Sequence, residues 1–111
     1  FTLDGYELVA FDSHIPMDFT FTPAISLLIN CRTQDEVDEF WARLSAGGST
    51  EQCGWLADRY GLSWQVFSVE MAEMMSDKDP ARVERVTRAM LGMTKLEIDT
   101  LRRAYNGEAA A

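Results

Sequence analysis

The chain has 111 residues, 47% of them hydrophobic and 11% aromatic, enough for one domain with a packed core. Its 18 acidic residues outnumber its 10 basic ones, and the resulting charge of −8 repels phosphate backbones and anionic lipid. No nucleic-acid or membrane partner is therefore expected: no apolar run reaches the roughly 18 residues that span a bilayer, and no signal-peptide pattern opens the chain.

The first element is a hairpin over residues 1 to 11, turning at Asp4-Gly5, a dipeptide suited to the positive φ angles of a tight turn. The chain opens at Phe1 without Met and already inside this hairpin, so further residues are expected upstream. A polar loop follows over residues 12 to 22. Residues 24 to 31 then alternate, with Ile25, Leu27 and Ile29 forming an oily face for a helix.

Thr33 and Glu36 have the spacing of a capping box, and Val37, Phe40, Trp41 and Leu44 continue from it as one helical stripe ended by Gly47-Gly48. Residues 51 to 57 and 62 to 68 read as a second hairpin around Asp58-Arg59-Tyr60-Gly61. Pairing Ala57 with Leu62 sets Trp55 opposite Trp64 and Gly54 opposite Gln65, with both tryptophans in the core.

Three helices are predicted beyond this. The first, from Val69 to Ser76, carries Met71, Met74 and Met75, an adaptable apolar surface for a neighbour. Asp79-Pro80 starts the second, with Val83, Val86, Met90 and Met93 inward. A capping box of Thr94 and Glu97 starts the third, whose apolar face is Ile98, Leu101 and Tyr105. Gly107 stops it, and residues 108 to 111 read as a frayed tail. The order of elements predicts an α+β domain.

Four segments together resemble one family: Phe19-Thr20-Phe21-Thr22-Pro23-Ala24-Ile25-Ser26, Cys31-Arg32-Thr33-Gln34-Asp35-Glu36-Val37-Asp38, the stretch from Cys53-Gly54-Trp55 to Gly61-Leu62-Ser63-Trp64-Gln65, and Ala89-Met90-Leu91-Gly92-Met93-Thr94-Lys95-Leu96-Glu97-Ile98. They are similar to the PhnB-like branch of the vicinal-oxygen-chelate (glyoxalase, bleomycin-resistance and dioxygenase) superfamily, some of whose members carry the label 3-demethylubiquinone-9 3-methyltransferase. The resemblance implies βαβββ modules curled into a cup within one domain spanning residues 1 to 111. Residues 1 to 11 would be the last hairpin of a first module, residues 23 to 68 a complete second module, and residues 69 to 107 C-terminal helices. The rest of the first module has no counterpart here, so upstream residues or another chain would complete the cup, and a homodimer is expected.

Little in the sequence supports catalysis. The Gly-Gly pair follows a helix and precedes a strand, the reverse of a nucleotide-binding turn, so the methyltransferase label finds no support in the residues. His14 is the single histidine, in a loop with Asp12 and Asp18, and reads as solvated surface rather than a general base. Cys31 and Cys53 are too few for a disulfide framework and form no zinc pattern, which points to a cytoplasmic protein with free thiols. In metal-using relatives the resemblance implies a His at the position of Ala24 and a Glu at that of Gln65. Neither residue here is a strong ligand, so neither metal nor cofactor is expected.

The inner wall of the cup would carry the site. With Ile25, Leu27 and Ile29 under the helix, Ala24, Ser26 and Leu28 face the cavity. The final hairpin would add Gln52, Gly54, Leu56, Ser63, Gln65 and Phe67. Ser26, Leu28, Gln52, Gly54, Ser63, Gln65 and Phe67 are thus the candidate contacts to a small organic ligand. The rival readings are a metal-dependent lyase, isomerase or dioxygenase, and a non-catalytic structural protein with a filled cup.

Overall fold

A computed structural model describes residues 1–108 and has mixed α+β content. Strands β1 (Thr2–Leu3) and β2 (Tyr6–Glu7) form the expected antiparallel hairpin, with Leu3 opposite Tyr6. Asp4 and Gly5 adopt φ of 49° and 83°, the left-handed pair that a two-residue turn requires. Most of the exposed large hydrophobic residues lie between Phe1 and Ile25, and the molecule is 55 Å long but only 27 by 25 Å across.

The body is built from β3 (Ser26–Cys31), α1 (Gln34–Ser45), β4 (Ser49–Thr50), β5 (Trp55–Ala57) and β6 (Ser63–Ser68), followed by α2 (Val69–Met75), α3 (Pro80–Leu91) and α4 (Ile98–Tyr105). The four strands form one sheet in the order β3-β6-β5-β4, with β3 parallel to β6 and the other pairs antiparallel. Cys31, Leu56 and Val66 bury themselves on one side of it with Val37 of α1, Met71 and Met74 of α2, Val86 of α3, and Ile98 and Leu101 of α4. Among the described residues, no helix is long and apolar enough to cross a membrane.

Local signals placed the helix starts. Thr33 Oγ1 accepts the Glu36 amide, while the Glu36 carboxylate reaches back to the amide of Arg32. Asp79 caps α3 through the Ala81 amide, ahead of Pro80. Gly107, at φ 76°, follows the end of α4.

Several expectations need correction. Ile25 lies before β3 and is 74% exposed, so the face under the helix begins at Leu27. Phe40 is 40% exposed, leaving Val37, Trp41 and Leu44 as the stripe that packs. Met71 and Met74 are buried in the chain's own core and offer nothing to a neighbour. The Thr94–Glu97 box does not form, since Glu97 makes no side-chain cap bond. The Ile98 amide donates instead to Gln34 Oε1. The predicted tail falls mainly on residues 109–111, outside the described residues.

The largest difference is register. Leu56, not Trp55, stands opposite Trp64, while Trp55 faces Gln65 and Ala57 faces Ser63. Residues 51 to 57 are not one strand but a turn leading into β5. Cys53 and Gly54 both take positive φ there, at 59° and 81°. The segment between α3 and α4 pins this turn, because Met93 O accepts the Cys53 amide and Thr94 O accepts that of Gly54, each at 2.8 Å. A one-residue slip exchanges the two faces of a strand, so the contents of each sheet face change with it.

Candidate functional site

Partners across a sheet share a face, so the register places Ser26, Leu28 and Asn30 of β3 beside Ser63, Gln65 and Phe67 of β6 and Trp55 and Ala57 of β5. This is the face opposite Leu56, Val66 and Cys31. No residue of β3, β5 or β6 is acidic or basic. The face is therefore apolar, with a few neutral polar groups.

One polar contact organises its centre. Gln65 Nε2 donates to Ser26 Oγ at 3.0 Å, joining β6 to β3 through side chains as well as backbone. Leu28 and Trp55 flank Gln65 on the two neighbouring strands, with Leu28 47% exposed and Trp55 half-buried. Phe67 is half-buried and Ser63 buried on the same strand as Gln65. The arrangement can hold an uncharged molecule by apolar contact and orient it by hydrogen bonds.

Of the predicted contact residues, Ser26, Leu28, Ser63, Gln65 and Phe67 share this face. Gln52 and Gly54 do not. Gln52 is exposed in the turn, where its carbonyl accepts the Trp55 amide. Gly54 is buried on the other side, where an added Cβ would lie 2.8 Å from Val66 O and 3.3 Å from Leu96 Cγ. Leu56, expected in the cavity, is fully buried in the core. Trp55 and Asn30 were missed. A fixed two-residue alternation gave no sign that the Cys53–Gly54 turn would shift the register.

The other candidates sit away from this face or lack activation. His14, Asp12 and Asp18 are all exposed. Burial, with the Glu36 carboxylate nearby, pushes the Cys31 thiol up to about 11, so it stays protonated at neutral pH. Among the described residues, no three His, Cys, Asp or Glu side chains are grouped as metal ligands. Ala24 is exposed and supplies no donor atom, and Gln65 presents a neutral amide already bonded to Ser26. The residues at these positions do not fit a divalent cation.

They do not fit a nucleotide-bearing methyl donor at the glycine pair either. Gly47-Gly48 links α1 to β4, and an added Cβ on Gly48 would sit 2.1 Å from Ala57 O. Gly48 lets backbone pack on backbone and Gly47 lies against the Arg59 side chain, with no open cradle for phosphates or a ribose.

The sequence model of the family described as 3-demethylubiquinone-9 3-methyltransferase matches residues 1–67. Among solved structures, the chain is similar to a PhnB protein from Bacillus cereus that carries the same description, with 37% identity and a TM-score of 0.59. That similarity covers 61% of this chain and spans 60% of the Bacillus protein. No curated protein matches the sequence. With a family match extending over more than half its length, from the first hairpin to Phe67, this chain belongs to the 3-demethylubiquinone-9 3-methyltransferase family.

Proposed function

We propose that the chain forms part of a cytoplasmic, cup-shaped vicinal-oxygen-chelate protein that binds a small organic molecule without a tightly held metal. The observation that carries this reading is the neutral sheet face around Gln65, with Ser26, Leu28 and Trp55 beside it and the helix-packed core on the other side. Burying a charged ligand there would leave its charge unpaired, which costs several kcal/mol in a low-dielectric site, about the scale of a lost buried partner. A neutral ligand avoids that cost. A second copy would complete the cup, covering the apolar side chains between Phe1 and Ile25.

Metal-assisted chemistry would need carboxylate or imidazole donors on this face, and Ala24 and Gln65 supply neither. A fluorescence ligand screen joined to elemental analysis of protein purified without chelator tests the reading. Ligand binding without stoichiometric metal is expected. Near-stoichiometric zinc, iron, manganese or nickel that is lost in Gln65→Ala would overturn it.

A further inference from the structure

Helix α4 ends on the dipeptide Asn106-Gly107, and both residues are exposed. Asparagine is chemically labile, most of all before glycine, because no Cβ on the following residue hinders attack of its backbone nitrogen on the asparagine side chain. The fold holds that reaction back. Asn106 has ψ −2°, so the Gly107 nitrogen eclipses the nitrogen of Asn106 itself and points away from its Cβ. The Gly107 amide donates to Ala104 O at 3.1 Å and the Glu108 amide to Arg103 O at 2.9 Å, closing the helix end around Gly107 at φ 76°. Arg85 of α3 ties down the same turn. Its Nε donates to Ala104 O and its Nη2 to Tyr105 O, each at 3.0 Å. Its guanidinium carbon lies 3.6 Å from where a Cβ on Gly107 would stand.

We propose that Asn106 is a site of spontaneous deamidation, latched shut by Arg85 and exposed to reaction when the end of α4 frays. In the open turn the Gly107 nitrogen attacks Asn106 Cγ, the Cγ–Nδ2 bond breaks, and ammonia leaves with the proton from the Gly107 amide. The resulting succinimide takes up water at either carbonyl and opens to aspartate or isoaspartate. Isoaspartate routes the main chain through Cβ, and the lengthened turn no longer brings the Gly107 and Glu108 amides onto their carbonyls. The conversion is one-way and leaves the end of α4 open.

The test is to hold the whole chain at physiological temperature and neutral pH in heavy-oxygen water, then follow the tryptic peptide 104–111 by mass spectrometry. Conversion exchanges the side-chain amide for a labelled acid. Chain unfolded in urea should convert Asn106 faster than folded chain by about tenfold or more, the ratio for a turn that is open a tenth of the time or less. Asn30, the other asparagine, precedes buried Cys31 within β3 and should stay unchanged in the folded chain. Arg85→Ala should speed conversion of folded chain about three- to tenfold, the worth of one exposed hydrogen bond, and Arg85→Lys, which keeps a cation at the carbonyls, by less. Circular dichroism checks that each variant is folded, and Arg85→Lys carries the comparison if Arg85→Ala is not. The converted chain should exchange its Glu108 amide with deuterium faster than the unconverted one. Asn106 left intact in urea would overturn the site. Equal rates folded and unfolded would overturn protection by the turn, and wild-type rates in the folded Arg85 variants would overturn the latch.

Discussion

The side chain of Gln34 closes onto the start of α4: its Oε1 accepts the Ile98 amide at 2.7 Å and its Nε2 donates to Leu96 O at 2.9 Å. The first residue of α1 thus caps a helix 64 positions away, in place of the local box that Thr94 and Glu97 do not make. Leu96 and Ile98, on either side of Glu97, are both buried in the core. Gln34→Ala leaves the Ile98 amide and Leu96 carbonyl without these partners and should destabilise the protein by about 1–2 kcal/mol. Chemical denaturation would measure it. Thr94→Ala, with no cap bond to lose, should change stability by less than about 0.5 kcal/mol.

The two tryptophans of the second hairpin should behave differently because they lie on opposite faces. Trp64 packs against the core, and its Nε1 donates at 2.9 Å to Asp58, whose other carboxylate oxygen accepts the amides of Tyr60 and Leu62. Trp64→Ala should cost about 3 kcal/mol and loosen the turn. Trp55→Ala should cost less than Trp64→Ala, since Trp55 lies on the open face, and should abolish the proposed ligand binding. Equal losses of stability, with binding intact in Trp55→Ala, would remove Trp55 from the site.

This contrast also marks where the sequence was informative. The Asp4-Gly5 turn, the Thr33 cap and the Asp79-Pro80 start each depend on residues within four positions of one another, and each was legible. The face of β5 was not, because Met93 and Thr94, some forty positions downstream, hold the Cys53–Gly54 turn that sets it. The polar pair at the site was half legible. Ser26 and Gln65 were placed on one face, but their hydrogen bond depends on β3 lying parallel to β6, and no local pattern specifies that pairing.

Two glycines with similar backbone angles should respond differently to alanine. Gly54 and Gly61 have φ of 81° and 87°. An added Cβ at Gly61 meets nothing within 4 Å, so Gly61→Ala carries only the cost of a left-handed backbone, about 1–2 kcal/mol. At Gly54 the same atom would also press on Val66 O and Leu96. Gly54→Ala should therefore cost about 2–5 kcal/mol, adding overpacking to strain. Thermal melts of both variants would test the ordering.

Acid should weaken the helical half first. The Lys95 and Gln34 hydrogen bonds hold the Asp38 carboxyl below its ordinary range, Arg102 does so for Glu70, and the Tyr105 hydroxyl does so for Asp77. A carboxyl whose pKa is lower folded than unfolded stabilises the fold fully above its unfolded pKa, about 4. That contribution is lost as pH falls through the lowered folded value. The melting temperature should thus be flat near neutrality and fall below about pH 4. Asp77→Asn should flatten that fall, since it keeps an acceptor for Tyr105 without a titrating group. An unchanged acid limb would exclude Asp77 as a contributor.

The apolar arm makes the last prediction. Phe1, Tyr6, Val9, Phe11, Ile15 and Phe19 are each more than half exposed, and β3 leaves one edge of the sheet unpaired. Large apolar side chains exposed along one segment mark an interaction site, and an open strand edge adds a row of unpaired backbone groups. In the proposed dimer both are covered by a second copy, so light scattering should give twice the 12.5 kDa of one chain. Phe11→Asp and Phe19→Asp place charge where side chains already face solvent, so neither should unfold the body of the protein. Each should shift the population toward monomer with little loss of helix by circular dichroism. A wild-type chain that remains monomeric at high concentration would remove the second copy from the proposal, and the arm would then need a different cover.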